Sequence, residues 1–225
     1  MARVKAGSSP WKCWFCDSEV AGEPFCPQCS KLQPLSPELD YFQLFGIRRQ
    51  LNLDPEGLER TFYELSRRFH PDRYSTASEE ERGISLVNSS ILNRGYRTLR
   101  DPLERMRYLL ALEIGPSEGE GGKAPPGLLE EVMEVQEALM ELKEIGASGD
   151  GDERDRLLST LKGARERLEG LKGDMERRLE ELARTWDRML DGEGGDKGGV
   201  LTEMKELLSN LNYLRTVLRN IGEET

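Results

Sequence analysis

"SRRFHPDRYS" (residues 66–75) holds the only histidine of the chain, set directly before a proline and an aspartate. Leu58, Phe62, Leu65 and Phe69 lead into it at spacings of four, three and four, which is one face of an α-helix. Pro71 ends that helix, because a proline ring disfavours helical backbone at the residue before it. Asp54 and Pro55 supply the start, a capping carboxylate followed by the residue best suited to the first helical position. The stretch therefore reads as the exit of an amphipathic helix into a rigid turn that carries an imidazole and a carboxylate.

Four roles compete for His70. A catalytic base needs a nucleophile, and no G-x-S-x-G or comparable motif accompanies Asp72. A metal ligand is redundant beside four cysteines. A core histidine is the plain alternative, since a lone imidazole is more often structural than functional, but Phe69 already occupies the buried end of the stripe. A docking surface accounts for the remaining features. Arg60, Arg67 and Arg68 lie off the apolar stripe, and Arg73 lies just beyond the turn. The competing reading of these arginines is a solvated helix face.

Outward from this turn the pattern stays helical. "ELDYFQLFG" (38–46) predicts a short helix closed by Gly46. A further helix is expected from about Glu79 to Leu99, with Ile84, Val87, Ile91 and Tyr96 among its apolar residues. "DPLERMRYLLALE" (101–113) starts afresh with a capping Asp101 and an opening Pro102. "GPSEGEGGKAPPG" (115–127) reads as a linker. Three helices follow, separated by "GASGDGD" (146–152) and "DGEGGDKGG" (191–199). Leu157, Leu161, Ala164, Leu168, Leu171, Met175, Leu179, Leu182, Trp186 and Met189 step by three and four along the longest of them. Three such helices predict an antiparallel bundle. The fold class expected is all-α.

All four cysteines lie within 17 residues: Cys13, Cys16, Cys26 and Cys29, spaced C-x2-C-x9-C-x2-C. Two C-x2-C pairs can supply a tetrahedral thiolate cage with no position left for water or substrate, so the expected site is structural zinc. Iron in a rubredoxin-like setting is the alternative, since "CPQC" suits either metal. A segment this short needs such a staple to fold.

The formal charge of −10 argues against a uniform nucleic-acid binder and against an anionic membrane surface. No window is apolar enough to span a membrane, and the first residues lack the apolar core of a secretory signal. A cytoplasmic protein is expected, with no nucleic-acid partner and no membrane partner.

Glu130, Glu134, Glu137, Glu141 and Glu144 form one acidic stripe, beside Leu129, Met133 and Met140. From composition this is a solvated face with a core edge.

A short helix, a basic helix, His-Pro-Asp and an apolar third helix resemble the J domain of DnaJ-type co-chaperones. "YFQLFGI" (41–47), "LERTFYELSRRFHPDRY" (58–74) and "LNRGYRTLRDP" (92–102) carry the likeness. Together with "CWFC…FCPQCSKLQP", "DPLERMRYLL" and the C-terminal helices, the chain resembles the HscB family of iron–sulfur cluster co-chaperones, in the version with an N-terminal four-cysteine knuckle. The resemblance implies a non-enzymatic protein that delivers an IscU-type cluster scaffold to a DnaK/HscA-type ATPase and stimulates ATP hydrolysis there. It implies chaperone contacts at His70, Pro71 and Asp72, with Arg60, Arg67 and Arg68 steering the approach. Carried over on "LLEEVMEVQEALMEL", it places scaffold contacts at Leu129, Met133, Glu134, Glu137, Glu141 and Tyr213. Glu130 stands where the family often carries methionine, and Gly95 where it usually has alanine, a change that weakens a helix by about 1 kcal/mol. Expected boundaries are a tail at 1–10, a knuckle at 11–36, a J domain at 38–113, a linker at 114–127 and a scaffold-binding bundle at 128–222. Pairing of two copies through the knuckle stays open. The rivals are a J-domain protein with another client and a redox or metal-transfer protein built on the cysteines.

Overall fold

The computed structural model describes residues 11–20, 22–36, 39–115, 128–145 and 151–224. The tail expected at 1–10, and the linker expected at 114–127 apart from Ile114 and Gly115, lie outside them. The chain parts into two compact units, the first ending at Tyr108 and the second beginning at Leu109.

The first unit opens with a two-stranded antiparallel ribbon, β1 (Trp11–Lys12) and β2 (Glu19–Val20). Helices α1 (Tyr41–Leu44), α2 (Pro55–Phe69) and α3 (Glu79–Arg100) follow, with a single 3-10 turn at Pro71–Tyr74 between the last two. Helix α4 runs from Pro102 to Ile114. The caps are those the sequence calls for: Asp54 accepts from the Glu56 N–H, and Asp101 from Leu103 and Glu104. Helix α1 is shorter than 38–46. Asp40 and Gln43 form a reciprocal capping box at its start, and Gly46 leaves it at φ 68°, a left-handed conformation that glycine takes without strain.

Phe42, Phe69, Leu92 and Leu99 are fully buried in this unit, and Phe62 stacks on Tyr96 at 4.2 Å. Gly95 is part of that packing. A Cβ added there would lie 3.0 Å from Tyr41 Cδ1 and 3.3 Å from Phe45 Cε2. The glycine therefore costs helix propensity but lets α1 approach α3, and Tyr41 in turn stacks on Tyr108 at 4.6 Å.

The second unit contains α5 (Leu129–Ile145), α6 (Gly151–Leu190) and α7 (Lys197–Glu224). Val132, Val135, Ala138 and Leu142 of α5 meet Leu161, Ala164 and Leu168 of α6 and Leu214, Val217, Leu218 and Ile221 of α7 in one apolar core. Both glycine-rich connections are shorter than expected. Gly151 and Asp152 already belong to α6, while residues 146–150 lie outside the described set. Gly198 and Gly199 belong to α7, whose first turn Asp196 caps by accepting from the Gly199 N–H at 2.9 Å. A good cap and a buried apolar face offset the poor helix propensity of glycine. No helix among the described residues is long and apolar enough to cross a membrane.

Candidate functional site

The histidine turn is built by the end of α2 and held by α3. The last carbonyls of a helix have no partner within it, and Pro71 prevents another turn from supplying one. Here hydroxyl groups supply them. Ser85 Oγ donates to the Phe69 carbonyl at 2.6 Å, Ser89 Oγ donates to the same oxygen at 2.9 Å, and Tyr74 Oη donates to Arg68 O at 2.9 Å. Beyond this anchor His70 and Asp72 project outward, with side chains 55% and 92% exposed. His70 Nδ1 accepts from the Asp72 backbone N–H at 3.3 Å and lies 3.5 Å from the Asp72 carboxylate. The imidazole caps its own turn and keeps its outer edge free, which suits a contact surface. Removing both serine hydroxyls is expected to lower folding stability by about 2–3 kcal/mol, because the Phe69 carbonyl is then buried without a donor. Ser85→Ala alone should cost about half as much, as read from denaturant melts.

Arg60, Arg67 and Arg68 are all exposed, but they are not equivalent. Arg60 lies 3.5 Å from Asp54 and 3.7 Å from Glu56, ion pairs open to solvent. Arg68 is engaged: its guanidinium sits 4.3 Å from the ring centroid of Phe25, a residue of the cysteine knuckle. Sequence reading missed Tyr63, which is 53% exposed and lies three residues after Arg60 and four before Arg67, on their face of α2. Its signal was present as an aromatic off the stripe.

The four cysteine sulfurs lie within 4.8 Å of one another. Cys13 Sγ is 3.6 Å from Cys29 Sγ and Cys16 Sγ is 3.7 Å from Cys26 Sγ, close to the roughly 3.8 Å edge of a tetrahedron with metal–sulfur bonds of about 2.3 Å. The two C-x2-C turns repeat each other. Asp17 and Ser30, each one residue past its second cysteine, take φ 57° and 59°, and each donates its N–H back to the carbonyl of the first cysteine. The Gln33 amide and the Phe15 N–H point at Cys13 Sγ at 3.3 and 3.4 Å, as thiolates require of their surroundings. The Ser18 hydroxyl, hydrogen-bonded to Cys16 and Cys26, lowers both thiols, Cys26 to about 6, whereas burial pushes Cys29 up to about 12. Four convergent sulfurs at this spacing fit a tetrahedral metal ion.

The knuckle is not a separate bead. Phe25 packs on Phe69 at 6.1 Å between ring centroids. Lys31 reaches the buried Glu81 of α3 at 2.7 Å. Buried Asn88 accepts from the Leu35 N–H at 3.1 Å and donates to Gln33 O at 2.8 Å. Nothing in the sequence flagged Glu81 or Asn88.

On α5 the residues expected to bind a scaffold form two lanes. Leu129 and Met133, each 51% exposed, and Met140, 64% exposed, make the apolar lane. Glu134, Glu137 and Glu141 are exposed beside it. Tyr213 of α7 is half-buried and packs against the core that Leu128 and Val132 share. Glu134 is ion-paired to Arg167 of α6 at 3.1 Å, a contact the stripe alone could not reveal.

No protein-family model matches the chain. It is 38% identical over 133 residues to the iron-sulfur cluster co-chaperone protein HscB of Mus musculus, a match covering 57% of each chain. Over 124 residues it is 37% identical to the co-chaperone protein HscB homolog of Ralstonia nicotianae, covering 55% of this chain and 69% of that one. The chain belongs to the HscB family. The crystal structure of human co-chaperone protein HscB superposes with a TM-score of 0.68 at 25% identity, covering 94% of this chain and 97% of that one. The match spans little more than half the length of the mouse protein. These HscB relatives are named as co-chaperones rather than as enzymes, and the four-cysteine group gives this chain a place for a metal ion.

Proposed function

We propose that the chain is an iron–sulfur cluster co-chaperone that binds an IscU-type scaffold on α5 and presents it to a DnaK/HscA-type chaperone. His70, Pro71 and Asp72 stimulate ATP hydrolysis in that partner. The observation that carries this reading is the pinned, outward-facing histidine turn, whose Phe69 and Arg68 carbonyls are satisfied by hydroxyls while the His70 and Asp72 side chains stay exposed. A rigid turn loses little freedom on docking, so its contacts convert efficiently into binding. Arg60, Tyr63 and Arg67 extend the surface along α2, and basic residues there favour encounter with an acidic partner. Arg68 contributes less to steering than its neighbours because its guanidinium is stacked on Phe25. On α5, unbranched methionines suit an adaptable interface, and Tyr213 flanks it from α7. The partition we assign is a knuckle at 11–36, a J domain at 38–113 and a scaffold-binding bundle at 128–222. The cytoplasm suits it, since the cage needs reduced thiols.

Steady-state ATPase measurements test the reading. The chain alone should accelerate a DnaK-type partner, and chain plus scaffold should accelerate it more than the two separate effects combined. No acceleration by either would refute it.

Cys13, Cys16, Cys26 and Cys29 are assigned to structural zinc, which would hold the two turns together. Metal analysis should find one colourless zinc per chain, and none after Cys26→Ser with Cys29→Ser. Red, iron-loaded protein would replace zinc by iron. Metal and protons compete for the same sulfurs, so affinity should fall as pH falls. Cys29, protonated up to about 12 without metal, should release its proton on zinc binding at neutral pH, while Cys26, at about 6, is already ionised. Calorimetry in two buffers of different ionisation heat reads that release.

A further inference from the structure

Arg167 of α6 faces the acidic edge of α5. Its Nε lies 3.0 Å from Glu131 Oε1 and its Nη2 lies 3.1 Å from Glu134 Oε2. One planar guanidinium thus holds two carboxylates through separate nitrogens, a fork that lysine cannot reproduce. Gly163, one turn earlier on α6, lies beside the guanidinium, where a Cβ would make an ordinary 3.6 Å contact with Nη1. The rest of the lane differs. Glu137 and Glu141 are exposed and carry no ion pair among the described residues. The acidic face is therefore uneven, with Glu134 neutralised from within the same chain.

Resting on the scaffold-binding reading of α5, we infer that Arg167 tunes the strength and salt dependence of that surface as an internal competitor for the partner's cations. A basic group of the scaffold takes Glu137 or Glu141 directly but must displace Arg167 to reach Glu134. The pair is open to solvent and contributes little to folding, so its removal leaves the bundle standing. Its loss frees two carboxylates and makes the face one charge more negative. Charges at the rim of an interface act mainly on association rate and salt response. Arg167 is a specificity residue on this account: it disfavours weakly basic surfaces that cannot displace it.

The experiment titrates an IscU-type scaffold against wild type, Arg167→Gln, Arg167→Lys, Glu134→Gln, Glu137→Gln and the Arg167→Gln/Glu134→Gln pair, at low and physiological salt. Thermal melts confirm folding of each. Arg167→Gln is expected to raise the association rate about threefold at low salt, with the gain shrinking as salt rises. Arg167→Lys should fall between it and wild type. Glu134→Gln should weaken binding less in the wild-type background than in the Arg167→Gln background, where it should cancel the gain. Glu137→Gln should weaken binding in both. Unchanged or weaker binding by Arg167→Gln overturns the inference, as does a Glu134→Gln effect that is the same in both backgrounds. Leu129→Ala with Met133→Ala serves as the control. If wild type does not bind the scaffold, or the control binds like wild type, the underlying reading falls and the inference with it. If the control loses binding and Arg167→Gln changes nothing, the inference alone falls.

Discussion

His70→Gln is expected to cut stimulation of a DnaK-type ATPase by tenfold or more while leaving the fold intact, a change of about 1.4 kcal/mol or more in the coupling to the partner's transition state. The expectation follows from where the side chain sits. The His70 side chain is exposed, and its hydrogen-bonding partner is Asp72. Surface changes of this kind alter folding stability by no more than about 0.5 kcal/mol. The turn itself is anchored by Ser85, Ser89 and Tyr74, whose hydroxyls bond to the Phe69 and Arg68 carbonyls rather than to the imidazole. Glutamine keeps a neutral donor and acceptor of similar reach but not the ring. A large loss of stimulation with an unchanged melting temperature therefore reports a contact made to another molecule. Equal stimulation by both proteins would remove the turn from the mechanism.

The second large effect lies in the bundle. Leu129→Ala with Met133→Ala should weaken binding of an IscU-type scaffold by roughly 30- to 150-fold, about 2–3 kcal/mol for two apolar anchors at the centre of an interface. Neither side chain belongs to the buried core that Val132, Val135 and Ala138 build on the opposite face of α5, so stability should hardly change. Binding by calorimetry and melting by circular dichroism read the two quantities separately. Unaltered affinity would place the scaffold elsewhere, or give α5 another client.

What could be read from the sequence was local. The stripe ending in Phe69, the caps at Asp54 and Asp101, and the paired C-x2-C turns all depend on residues within four positions of one another, where periodicity and turn chemistry act. The family resemblance drew on those same segments. Contacts across long separations were not legible. Ser85 and Ser89 drew no reading in the sequence, yet they hold the histidine turn because α3 folds back on α2. Glu81, in the first turn of α3, is buried and paired with Lys31 of the knuckle, 50 positions away. Arg68 looked like a free cation and is stacked on Phe25. The stripe through Glu134 was visible, but Arg167 lies 33 positions away and only the pairing of α5 with α6 brings it near. The glycine-rich stretches misled in the other direction. Glycine lowers helix propensity, but Asp196 caps α7 early enough to draw Gly198 and Gly199 into it.

The central claim is that one chain couples two surfaces, and a mixing experiment tests it most directly. His70→Gln keeps the α5 face, and Leu129→Ala with Met133→Ala keeps the histidine turn. Wild type with scaffold should accelerate the partner ATPase beyond the two separate effects combined, while an equimolar mixture of the two variants should give only those separate effects, because neither molecule carries both surfaces. A mixture that matches wild type would contradict delivery by a single chain.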